Sequence, residues 1–102
     1  MQSYGDYANI IKAIADETRL KILDMLSCGQ MCACKILEAF DITQPTLSYH
    51  MKILTRAGLV TGIRDGAWMH YSLNQESIEG LKGFISELTS PKDTCVCGEC
   101  ER

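Results

Sequence analysis

Four stretches of this chain carry apolar residues at helical spacing, and one reads as a pair of short strands. Tyr7, Ile10, Ile11 and Ile14 line one face of a first helix. Asp16 can cap a second helix, with Leu20, Ile22, Leu23, Met25 and Leu26 on its buried side and an end near Gly29. A short third helix is expected over residues 31–40, followed by a break at Asp41-Ile42-Thr43. The stretch 43–59, TQPTLSYHMKILTRAGL, organises the rest. Thr43 caps it, and Pro45 fits a first turn, where no intrahelical N–H bond is needed. Leu47, Met51 and Leu54 share its inward face, while Pro45, Ser48, Tyr49, Lys52 and Arg56 point the other way. Gly58 closes the helix. Residues 60–64 and 67–73 then flank Asp65-Gly66, a strong two-residue hairpin signal. Ile78, Leu81, Phe84, Ile85 and Leu88 form a last apolar stripe on a helix over residues 75–88, which Ser90-Pro91 ends.

Two short helices joined by a few residues, then a hairpin, give the fold class: mainly α with a small β-hairpin, a winged helix-turn-helix. The outward stripe of the 43–59 helix holds hydroxyls and two cations but no acid. Such a face suits a DNA major groove, where hydroxyl and amide groups meet base edges and cations meet phosphates. A merely solvated face is the ordinary reading of any one helix of this kind. The hairpin directly after it, with Arg64 at its tip, favours a DNA reader. Gln44, Thr46, Ser48, Tyr49 and Lys52 are the candidate groove and phosphate contacts, joined by Arg64 in the wing. His50 lies at the edge of the buried face and is read as a packing or local hydrogen-bonding residue.

The pattern makes one winged-helix domain of residues 1–90 and a cysteine-rich tail of residues 91–102. The first and last helices carry more apolar surface than so small a core covers, so a homodimer through them is expected. With 46% apolar and 23% charged residues, the composition is that of a soluble globular chain. No apolar run approaches membrane-spanning length, and no basic-then-apolar signal opens the chain. A cytoplasmic protein with no membrane partner is expected. The net charge of −3 argues against a nucleic-acid partner until it is located. Residues 44–74 hold one acid and three bases, whereas residues 1–43 and 75–102 are both net acidic. The positive segment coincides with the reader helix and hairpin, and a dimer presents it to double-stranded DNA twice.

Of six cysteines, Cys28 reads as a small buried hydrophobe without a role. The other five fall in two runs: MCAC, with Cys32 and Cys34, and CVCGEC, with Cys95, Cys97 and Cys100. In a reducing compartment clustered thiols are metal or redox groups, and thiolates favour soft or borderline metals. Ordinary helix packing explains Cys32 and Cys34 poorly, because residues two apart on a helix point about 200° apart. For the same reason one ion would hold both sulfurs only if the first turn of the third helix distorted, disturbing the support of the reader helix. The tail reads either as a frayed end or as a set of sulfur donors. A zinc ribbon is a poorer reading, since no second C-x-x-C with the usual spacing accompanies it. A small thiol oxidoreductase using Cys97 and Cys100 is a rival of another class, although the pair lacks a βαβ context. A pure dimerisation module leaves the reader, the wing and the thiols unexplained together.

From Ala8 to Leu88 the chain resembles the ArsR/SmtB family of metal-sensing bacterial repressors. The residues concerned are ADETRLKIL at 15–23, MCACKIL at 31–37, TQPTLSYHMKILTRAGLV at 43–60 and RDGAWMHYSL at 64–73. The resemblance implies a homodimeric repressor, not an enzyme, that binds its operator when inducer-free and is released by the inducer. In the arsenic and cadmium branches the inducer site includes a Cys-x-Cys pair at the start of the third helix, which Cys32 and Cys34 match. A third cysteine common in the arsenic branch is Leu37 here. The third thiolate would then come from Cys95, Cys97 or Cys100, in the same subunit or the other. Residues 75–88 contain no His or Asp, so the zinc branch's ligand pairs are absent. The implied inducer is arsenite or antimonite. Cadmium or lead held by four sulfurs, and a dithiol redox switch, are the alternatives.

Overall fold

The structure, a computed structural model, describes residues 3–92. Each long helix starts where a polar side chain can satisfy its first N–H groups. Ser3 and Asp6 form a capping box, both bonds 3.1 Å, that opens α1 (Tyr4–Ile14). Asp16 accepts from the Arg19 N–H at 3.1 Å to cap α2 (Glu17–Leu26). That bond, more than any other contact, holds the Asp16 carboxyl below its usual range. After a two-residue strand β1 (Met31–Cys32) and a short helix α3 (Ala33–Glu38), Thr43 accepts from the Thr46 N–H at 3.3 Å and caps α4 (Gln44–Arg56). Pro45 stands in its first turn, as expected. Gly58, at φ +81°, closes α4 in a Schellman motif. There the Leu59 N–H reaches the Leu54 carbonyl at 3.2 Å, and the Gly58 N–H reaches Thr55 at 3.0 Å.

The wing follows as β2 (Val60–Asp65) and β3 (Trp68–Leu73), and Asn74 caps the final helix α5 (Gln75–Thr89). Pairing runs from Val60 opposite Leu73 to Asp65 opposite Trp68, so the two-residue loop is Gly66-Ala67. This is one residue later than the expected Asp65-Gly66. Gly66 has φ +70° and, among the described residues, no non-glycine residue has positive φ, which is the pattern of a type II′ turn with glycine first. The third helix also differs from expectation. Its first two residues leave it to form β1, which pairs antiparallel with β3 through Met31–Tyr71 and Cys32–His70. β3 would otherwise show a second row of backbone groups without partners, and two residues of β1 satisfy part of it. The sheet order is β1-β3-β2.

Ile22 and Leu26 of α2, Ile36 of α3, Leu47, Met51 and Leu54 of α4, and Leu59 and Val60 form the solvent-free centre. The inward triad of the reader helix is therefore where the sequence puts it. Three other expectations need correction. Leu20 is 52% exposed, because it stands about 200° round the helix from Ile22. Cys28 is exposed, in the turn after α2, and is not a buried hydrophobe. The stripe of α5 is divided: Leu81 joins the protomer's own core, and Phe84 stacks on Tyr7 of α1 with centroids 4.1 Å apart. Ile85 and Leu88 stay 43% and 54% exposed. Among the described residues no helix is long and apolar enough to cross a membrane.

Candidate DNA-reading face and thiol site

Burying Leu47, Met51 and Leu54 turns the opposite side of α4 outward. Gln44, Thr46, Ser48, Tyr49, Lys52 and Arg56 are all exposed there, and Arg64 is exposed on the wing. The Thr43 hydroxyl donates to the Thr46 hydroxyl at 3.0 Å, which leaves Thr46 its own proton for an outside acceptor. Among the described residues Lys52, Arg56 and Arg64 take part in no ion pair, so their charge is available to phosphate. A groove of about 110 Å³ separates the reader helix from the wing, with Gln44 and Ser48 on one wall and Arg64, Trp68 and Tyr71 on the other. Ala33, at the start of α3, also lines it. His50 lies apart from this face. Its Nδ1 is 3.0 Å from Nη1 of Arg19, a hydrogen bond across 31 residues of sequence where a local one or simple packing was expected.

Cys32 is the N-cap of α3, in extended conformation, and its Sγ accepts from the Cys34 N–H at 3.3 Å. The Cys34 side chain beside it, ahead of the backbone N–H groups of Cys34 and Lys35, holds the Cys32 thiol below its ordinary range. The Cys32 side chain in turn pushes Cys34 up. Cys32 is thus the readier of the two to lose its proton. This corrects the expectation that the pair diverges on an intact helix. Cys32 stands outside the helix as its N-cap, so the 200° argument does not apply to it. The sulfur that a ligand would use is the one that caps α3.

Among the described residues no three His, Cys, Asp or Glu side chains are grouped so as to hold a metal ion. Cys95, Cys97 and Cys100 lie outside the described residues. The backbone context of the pair was not visible in the sequence. Cys32 is paired directly with His70 of the wing, and the residue between the two cysteines touches the reader–wing groove. A two-residue strand has no periodicity to find, so only β3's need for a partner could have signalled it.

A helix-turn-helix whose second helix shows a cationic, hydroxyl-rich face beside a paired wing is a DNA-binding regulator of the winged-helix class. The chain belongs to the arsR family of bacterial regulatory proteins, whose pattern residues 16–61 match. It is 41% identical over 103 residues to the arsenical resistance operon repressor of Staphylococcus aureus, across 96% of this chain and 99% of that one. The fold matches the crystal structure of an ArsR-family transcriptional regulator with a TM-score of 0.78 at 23% identity, over 85% of this chain and 90% of that one. It also matches the homodimeric winged helix-turn-helix DNA-binding domain of a possible ArsR-family regulator from Mycobacterium bovis. There the TM-score is 0.68 at 28% identity, over 85% of this chain and 86% of that one. The chain is therefore a DNA-binding transcriptional regulator and not an enzyme.

Proposed function

We propose that this protein is a repressor of arsenical resistance genes, bound to its operator when inducer-free and released when trivalent arsenic or antimony is held by cysteine thiolates. The observation that carries the reading is the Cys32–Cys34 pair: two thiols flanking the start of α3, the Cys32 sulfur accepting from the Cys34 N–H, on a strand paired to the wing. The name borne by the Staphylococcus aureus relative supports arsenic as the element sensed. Cys32 and Cys34 supply two sulfurs, and Cys95, Cys97 or Cys100, in the same subunit or its partner, supplies the third. The bound ion contributes strong bonds to soft sulfur. The protein's part is mechanical. A pull on Cys32 Sγ bears on its role as cap of α3, and any shift of β1 passes to β3 through their paired rungs and to the groove through Ala33.

On the DNA side, Gln44 and Ser48 face base edges, Thr46, Tyr49 and Lys52 the groove walls and phosphates, and Arg64 the flanking backbone. A twofold dimer built across α1 and α5 presents two readers to an inverted repeat. Lys52→Ala and Arg64→Ala should each weaken binding to every duplex and lower the salt slope by about one. Gln44→Ala and Ser48→Ala should instead change sequence preference, costing about 1–3 kcal/mol at the matched base pair. Equal affinity of the wild type for all duplexes at moderate salt would remove the operator reading.

Titrating the protein–operator complex with arsenite, antimonite, cadmium, lead and zinc tests the inducer. Release by arsenite or antimonite at the lowest concentration is the expected result. Release by cadmium or lead with arsenite inert would replace the inducer and keep the repressor. A chain truncated after Pro91 should still bind the operator and lose its response. An unchanged response would take the tail thiols out of the ligand set.

A further inference from the structure

Beside their apolar packing, the reader helix and the two helices behind it are bridged by one guanidinium. Nε of Arg19 donates to the carbonyl of Ala13, in the last turn of α1, at 2.5 Å. Nη1 of the same side chain lies 3.0 Å from Nδ1 of His50, in the middle of α4 and 31 residues away in sequence. Arg19 itself is fixed at the start of α2, where its N–H caps onto Asp16, and the Asp16 carboxylate lies 3.9 Å from His50 Nδ1. Only 13% of the His50 side chain is exposed. Its ring meets that of Tyr49, a candidate DNA contact, edge-on with centroids 5.4 Å apart. One cation therefore touches the end of α1, the start of α2 and the middle of the reader.

A guanidinium can only donate, so the nitrogen facing it must be an unprotonated acceptor. That places the His50 proton on Nε2. No apolar contact in this corner fixes direction in the same way, whereas two donors of a rigid planar fork, aimed at two acceptors on different helices, fix their relative angle. We propose that Arg19 and His50 are positioning residues for operator binding, setting the angle of the reader helix against α1. The inference rests on the reading of α1 as part of the dimer interface. In such a dimer that angle sets how far apart the two readers stand and so whether both half-sites can be engaged at once.

The test uses two duplexes, one with the full inverted repeat and one with a single half-site. Arg19→Ala and His50→Ala should each lower affinity for the full operator about tenfold, the scale of losing a hydrogen bond to a charged group, and leave half-site affinity nearly unchanged. The double variant should lose no more than Arg19→Ala alone, because that change already removes the bond to His50 together with the one to Ala13. His50→Asn, which can offer an amide oxygen near the Nδ1 position, should restore most of the loss. Sedimentation should show every variant still dimeric; a monomeric wild type would overturn the dimer reading separately. Nitrogen chemical shifts of His50 in the wild type need no variant, and they should report protonated Nε2 and acceptor Nδ1. A proton on Nδ1, additive losses in the double variant, or equal losses on the two duplexes would overturn the proposal.

Discussion

Serine at position 32 or at position 34 should leave operator binding within about twofold of wild type, since serine caps a helix at least as well as the sulfur it replaces, and should abolish release by arsenite. The structure makes serine a clean choice. At position 32 the hydroxyl can take over the bond from the Cys34 N–H, so α3 keeps its start and the reader its support. What is lost is a soft donor, and with it the coupling between sites. Inducer and DNA are linked, so the factor by which arsenite weakens operator binding equals the factor by which DNA weakens arsenite binding. That coupling, typically about 1–3 kcal/mol in allosteric proteins, should fall to zero in either variant. The check is an operator titration by fluorescence anisotropy with and without arsenite. Normal release from both serine variants, together with failure of tail variants, would move the sensing site to the tail.

The second large effect is expected at the far side of the molecule. Ile85→Glu combined with Leu88→Glu should yield a folded monomer whose affinity for the full operator falls on the order of 10²-fold, the usual worth of a second linked contact. Both side chains are exposed in the protomer, so charge there costs the single chain little. Leu81 is the wrong place for this test although it lies on the same stripe. It is 7% exposed inside the protomer's own core, and a charge there should unfold the chain instead of separating it. Sedimentation and circular dichroism distinguish the two outcomes. A double variant that remains dimeric would move the interface away from α5.

The contrast between Leu81 and Ile85 shows how far the sequence could be read. Helical period puts both on one stripe, and the period alone cannot say which residues the chain covers by itself. The reader helix was legible in full, because its cap, its proline, its inward triad and its closing glycine all agree with one another. The hairpin was legible to within one residue. Asp65-Gly66 is a good turn signal, but it is the backbone sign at Gly66 that decides where the loop starts. Strand β1 was not legible, since two residues carry no pattern and MCAC reads naturally as the opening of a helix. From that one misplacement came the expectation of diverging sulfurs. The Arg19–His50 bond was legible only as an interior role for His50, because nothing in the sequence names a partner so distant. Cys95, Cys97 and Cys100 remain a reading of the sequence.

The sulfur of Cys32 has one further consequence, through the bond it accepts from the Cys34 N–H. In the role proposed for Cys32, an ion that draws this sulfur away weakens the bond that begins the helix, so the dose at which the genes open depends on how readily α3 starts without it. Residues that never meet the inducer then become dials of sensitivity: the first turn of α3 has no acidic side chain, and substitutions there alter the helix's tolerance for an empty cap. Selection can in this way raise or lower the alarm threshold of a sensor while leaving every thiol, and so the choice of element, untouched.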